Sequence, residues 1–151
     1  MFSKESLERL KDVSRRIQNI FDICQNYGGI SLALNDVKIA QPAIMMHLIV
    51  CKENFEKVIY NGENITAFLT KEDMRGLSAI RNIASHDYEG LNLGIIEEVI
   101  RLKLPPIQQK INAFLQEQET KEWKIGNLSF LFEKDKYNIL ECLRGKDKQS
   151  S

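Results

Sequence analysis

Residues 3–29 read SKESLERLKDVSRRIQNIFDICQNYGG. Leu7, Leu10, Val13, Ile17, Ile20, Phe21, Cys24 and Tyr27 recur there at steps of three or four, the period that keeps apolar side chains on one stripe of an α-helix. Ser3 stands where an N-cap is needed, Glu5 falls in the positive first turn, and Gly28-Gly29 supplies the stop. The stripe has to face a core, so the segment sets a helical reading for its neighbours to complete.

Working outward, a connector carries Ile30, Leu32 and Leu34. A second amphipathic stretch runs from Asp36 or Gln41 to Tyr60, with Ile44, Leu48, Cys51, Phe55, Val58 and Ile59 on one side. Pro42 fits only in its first turn, where no amide donor is required, and Asn61-Gly62 breaks it. Thr70 and Asp73 have the spacing of a capping box, and Met74, Leu77, Ile80 and Ala84 continue as a third helix. Asp87 to Gly90 reads as a turn. Asn92 is an N-cap for a fourth helix, with Leu91 placed to staple against Ile96. That helix continues through Val99 and Ile100 until Pro105-Pro106, which must end or kink it. Ile107, Ile111, Phe114 and Leu115 mark a further helical segment. Short connections between these helices predict an all-α, antiparallel four- to five-helix up-and-down bundle over residues 1–118. Residues 119–151 form a C-terminal extension: Leu128 to Leu143 suits a helix, Leu128 to Phe132 a short strand as well, and Gly145 to Ser151 a frayed end.

Composition narrows the functional classes. The 151 residues suit one domain with one core. Lys plus Arg and Asp plus Glu number 21 each, so the formal net charge is zero and any phosphate recognition has to be local. Cys24, Cys51 and Cys142 are odd in number and never form a CxxC, which argues against a disulfide framework and for a reducing compartment. No signal-peptide core opens the chain, and the longest apolar run, Ala43 to Cys51, is too short to cross a bilayer. A cytoplasmic protein without a membrane span is expected, with no metal and no cofactor.

Chemistry gathers in one place. Ile80-Arg81-Asn82-Ile83-Ala84-Ser85-His86-Asp87-Tyr88 puts an Arg, a His and a Tyr where the third helix runs out. At about 100° per residue, Arg81, Ser85 and Tyr88 share a stripe, while His86 is about 140° from Arg81. His86 joins them if the helix unwinds there or if a second copy of the chain supplies the partner. A guanidinium makes bidentate contacts to phosphate oxygens, and an imidazole exchanges protons near neutral pH. Together they suffice to cleave RNA, which carries its own nucleophile in the 2′-hydroxyl. Asn82 and Ser85 could orient water, phosphate or the imidazole. A plainer reading stands beside this one: an Arg near a helix C-terminus pairs with acids such as Asp87 or Glu89, and a nearby His caps or packs.

The run Arg81-Asn82-x3-His86-x-Tyr88 resembles the signature of the HepT-like branch of the HEPN superfamily. Gly-Leu-Asn-Leu after it and Arg-Leu-Lys-Leu-Pro-Pro-Ile before the last helix are similar to the same branch, and the similarity spans about residues 3–118. Pro106 and the tail from Thr120 depart from it. The resemblance implies a homodimeric, metal-independent endoribonuclease toxin whose two motifs face a shared cleft. It also implies a small nucleotidyltransferase antitoxin that modifies a tyrosine with AMP. Carried over, Arg81 holds phosphate, His86 is the acid or base, Asn82 and Ser85 support the site, and Tyr88 is the modified residue. A second reading keeps the helical fold but makes the chain a non-catalytic adaptor of a nucleotidyltransferase.

Other candidates have simpler explanations. His47, between Met46 and Leu48, reads as a core or partly buried histidine, and no zinc-ligand spacing joins it to His86. The cysteines fall mostly at core-facing positions. Lys11, Arg15 and Arg16 interleave with Glu5, Glu8, Asp12 and Asp22, a solvated face by default and an RNA-guiding one as the alternative.

Overall fold

The computed structural model describes residues 2–85 and 92–121, and every regular element among them is helical. The chain divides into two compact units, 1–115 and 116–151. In the first, α1 (Lys4–Asn26), a short α2 (Ile30–Asn35), α3 (Ala40–Tyr60), a 3-10 turn (Ile65–Ala67), α4 (Lys71–Ser85) and α5 (Leu93–Glu98) follow one another. A π-turn (Val99–Lys103) then leads into α6, helical over 104–121, of which 104–115 belong to the first unit. In the second unit the described residues, 116–121, are helical.

The caps explain the boundaries. Ser3 Oγ accepts from the Ser6 amide at 3.1 Å and opens α1. At its far end Gly28 takes φ 81°, its N–H donates to the Gln25 carbonyl, and Gly29 N–H donates to Cys24. This six-residue closure satisfies the last carbonyls only if the C′ position is left-handed, where glycine carries no Cβ penalty. The same arrangement closes α3 through Gly62, also at φ 81°. The reciprocal pair expected before α4 is present: Thr70 N–H donates to Asp73 Oδ2 at 2.8 Å and Asp73 N–H donates to Thr70 Oγ1 at 3.2 Å. Asn92 caps α5 by accepting from Gly94 and Ile95.

Two segments go beyond the sequence expectation, which reads the first as a connector and leaves an end or a kink open at Pro105-Pro106. The supposed connector is helical in α2, which buries Ala33 and Leu34 and leaves Leu32 outside. Asp36 then accepts from the amides of Lys38, Ile39 and Ala40, supplying the cap that Ile39 cannot. At Pro105-Pro106 the helical run does not end. The Leu104 N–H reaches back five residues to the Val99 carbonyl, so the hydrogen-bond period lengthens just ahead of two residues that have no N–H to give.

Side-chain pairs show how the helices run. Arg9 meets Asn54, Cys51 lies beside Val13, and Arg16 meets His47, so α3 descends as α1 ascends. Ser14 pairs with Asn112, and Gln108 with Gln18, so α6 is antiparallel to α1 too. Phe2, Phe68 and Phe114 cluster at one end, with Phe68 stacked on Phe114 at 4.2 Å, so α4 starts where α1 starts. This is the up-and-down order expected. Leu10, Val13, Ile17, Ile20, Ile44, Leu48, Ile80, Ile96, Ile100, Leu104 and Ile107 fill the core between these faces.

Among the described residues, buried side-chain polar atoms are matched except Arg9 Nε, which has no hydrogen-bond partner. Asn54 accepts from Arg9 Nη1 at 3.2 Å and donates to Asp12 Oδ2 at 2.8 Å. Asp73, 5% exposed, receives Lys110 and both Thr70 donors. Burial pushes the Asp73 carboxyl upward, but Lys110 and Thr70 outweigh it and hold it below the ordinary 3.8. Gly76 lies where α4 meets the π-turn and α6: a Cβ there would stand 3.2 Å from Lys103 Cβ and from Ile107 Cδ1.

Three outcomes follow. Asp73→Ala should cost about 3 kcal/mol in urea unfolding at pH 7, because Lys110 loses its partner and α4 its cap. Because the folded carboxyl titrates below its unfolded value, its contribution is complete above about pH 4 and disappears as pH falls further. The gap between wild type and Asp73→Asn should therefore narrow from pH 5 to pH 2.5. Gly76→Val should destabilise by about 2 kcal/mol, since its branched side chain meets the Lys103 Cβ, which cannot swing away, as well as the Ile107 Cδ1 methyl.

Candidate functional site

α4 carries Arg81 on its exposed side, one turn before the helix ends at Ser85. The guanidinium Nε lies 3.3 Å from Glu56 Oε1 on α3, and Lys52 Nζ lies 3.9 Å from the same oxygen. The side chains are 59% exposed at Arg81, 41% at Glu56 and 24% at Lys52, so an incoming anion can reach the trio. These groups border a groove between α3 and α4. Phe55, Ile59, Met74 and Leu77 give it apolar walls, and Lys52, Glu56, Ser78 and Arg81 give it a polar border. Formal charges there sum to plus one, which favours a phosphodiester over a neutral ligand.

Asn82 is exposed next to Arg81. Ser85 is the final residue of α4. His86 and Tyr88 lie outside the described residues, as do the turn expected at Asp87–Gly90, the Leu91 staple, Asp87 and Glu89 as partners of Arg81, and the elements expected over Leu128–Leu143 and Gly145–Ser151. The carboxylate that does stand beside Arg81, Glu56, went unnoticed in the sequence. Lys52 and Glu56 have the i,i+4 spacing of an ordinary surface pair, and nothing local tells that α4 will bring a guanidinium to them.

The other candidates settle into structural roles. His47 is partly buried, and its Nδ1 lies 3.2 Å from Arg16 Nη1. Burial and the Arg16 charge push its pKa down, against a smaller opposite pull from Asp12, so it is neutral at pH 7 and receives the Arg16 hydrogen bond. Arg15 and Arg16 share Asp12, and Lys11 pairs with Glu8, so each cation of the α1 cluster has a carboxylate within reach on its own helix. Burial raises the Asp12 carboxyl, yet hydrogen bonds from Arg16, Asn54 and Arg15 bring it below its usual range. Cys24 and Cys51 are buried, and the Cys51 thiol is pushed up to about 12, too high for a nucleophile at neutral pH. Among the described residues no three His, Cys, Asp or Glu side chains group to hold a metal ion, and no helix is long and apolar enough to cross a membrane.

No curated protein and no solved structure matches this chain. The family described as ribonuclease HepT-like matches it over residues 4–114, a span that holds α1 to α5, the groove and Arg81. Helical bundle, exposed guanidinium and family match agree: the chain belongs to the HepT-like ribonuclease family.

Proposed function

We propose that this protein is a metal-independent endoribonuclease toxin that works as a homodimer, with Arg81 and His86 acting on the RNA phosphodiester at a cleft between protomers. The observation that carries the reading is membership of a ribonuclease family, combined with an arginine that meets solvent at the border of a groove of net positive charge. In this reading the 2′-hydroxyl attacks the neighbouring phosphorus and His86 accepts its proton. The bond from phosphorus to the 5′-oxygen breaks, and the departing oxygen takes up a proton. A 2′,3′-cyclic phosphate and a 5′-hydroxyl result. Arg81 stabilises the charge that gathers on the non-bridging oxygens. Asn82 and Ser85 support the pair. AMP placed on Tyr88 by a small nucleotidyltransferase antitoxin silences the site, since it adds bulk and negative charge where a phosphate has to enter.

Purified Arg81→Ala and His86→Ala should keep wild-type helicity and oligomeric state but lose at least about a hundredfold in cleavage of single-stranded RNA. Arg81→Lys should lose most of the activity too, because an ammonium cannot make the forked contact. Cleavage and growth inhibition that survive in both alanine variants would overturn the reading in favour of a non-catalytic adaptor. After co-expression with a nucleotidyltransferase encoded beside the gene, intact mass should report AMP on the wild type and none on Tyr88→Phe. Adducts that persist in Tyr88→Phe place the modification elsewhere.

A further inference from the structure

We infer that the outward face of α4 is a track for single-stranded RNA, on which Lys71, Arg75 and Lys52 take backbone phosphates and lead the strand to Arg81. The inference rests on the reading of Arg81 above and adds the path of its substrate. Lys71, Arg75, Ser78 and Asn82 recur at offsets of zero, four, seven and eleven, which lines them along one side of the helix, and all four are exposed. Two grooves open on that side. One is the Arg81 groove, and the other is bordered by Thr66, Thr70, Lys71 and Arg75. Met74 and Ser78 line both, so the two lie side by side along α4.

The charge on this face is segregated by the fold. Glu72 and Asp73 neighbour Lys71 in sequence, but they turn the other way and pair with Lys103 and Lys110. Among the described residues neither Lys71 nor Arg75 has an ion-pair partner. The one acid lining either groove is Glu56, held between Lys52 and Arg81. In a chain of zero net charge, a run of four cations with one acid among them favours an anionic ligand of similar length. From Lys71 to Arg81 the helix rises about 15 Å, room for a few nucleotides of extended chain. Met74 and Leu77, both partly accessible, offer apolar surface between the cations, where unpaired bases can lie, and only a single strand presents base faces sideways.

The test measures binding of a fluorescent, fully 2′-O-methylated single-stranded oligonucleotide, which cannot be cleaved, by anisotropy over a salt series. Lys71→Gln/Arg75→Gln should weaken binding about tenfold. It should also lower the slope of log K against log salt by about 1.4, which is about 0.7 for each lost phosphate contact. With cleavable RNA the same variant should raise KM while kcat stays within twofold. Lys38→Gln/Arg101→Gln, an equal charge change elsewhere, should leave affinity and slope near wild type. Unchanged affinity in Lys71→Gln/Arg75→Gln, equal weakening in the control, or equal binding of an RNA duplex would each overturn the track. A variant that keeps RNA affinity but loses a nucleotidyltransferase complex would reassign the face to a protein partner. Normal cleavage by Arg81→Ala would remove the catalytic reading alone, because the uncleavable probe still reports on Lys71 and Arg75.

Discussion

The register between α1 and α3 is the constraint on which the remaining geometry depends. Leu10, Val13, Ile17 and Ile20 are fully buried, and α3 supplies Ile44, Leu48, Cys51 and Val58 to the same core. Apolar burial of this kind is strong but nondirectional and would tolerate sliding. Direction comes from the polar seam beside it. Arg9 and Asp12 clasp Asn54, and Arg16 meets His47, so displacement by a turn would strand several partly buried polar groups. With α3 held, Glu56 and Lys52 face the helix that follows, and Arg81 arrives at Glu56 rather than at solvent alone.

Charge is arranged more deliberately than the neutral total suggests. On α1 each basic side chain of the cluster has an acid on the same helix, Arg15 and Arg16 sharing Asp12, and its field is largely offset within a few ångströms. On α4 the acids of the first turn satisfy two needs at once: they lie at the positive helix end, and they receive lysines from the π-turn and α6. The cost is low because these partners are close. The consequence is a helix whose two sides differ in sign, with the cationic side open to a ligand. On the track inferred above, a protein of zero net charge would attract phosphate locally rather than through its overall charge.

The π-turn before Pro105 has a similar logic. Two consecutive prolines remove two donors, and a regular α-helix would leave carbonyls unmatched and rings pressed against the preceding turn. Widening the turn moves the Leu104 amide to Val99 and carries the chain onward as α6. Lys103 and Ile107 then come close enough to α4 that a Cβ at position 76 would crowd both. The proline pair therefore acts on the α4 contact as well as on its own helix, an effect a boundary rule does not anticipate.

What the sequence determined by itself was local. Helix periodicity, the Ser3, Thr70-Asp73 and Asn92 caps, the glycine stops and the core stripe, apart from Tyr27 and Ile59, which stay exposed, depend on interactions within about five residues, and a linear reading captures them. The position of Arg81 and Asn82 near the end of a helix was legible for the same reason. Helix formation in α2, the π-turn, the Glu56 partner and the division of α4 into two electrostatic sides were not. Each depends on which side chains from distant segments are brought within a few ångströms, and that is settled by the packing of whole helices. Local chemistry named the arginine; tertiary contact decided what stands beside it.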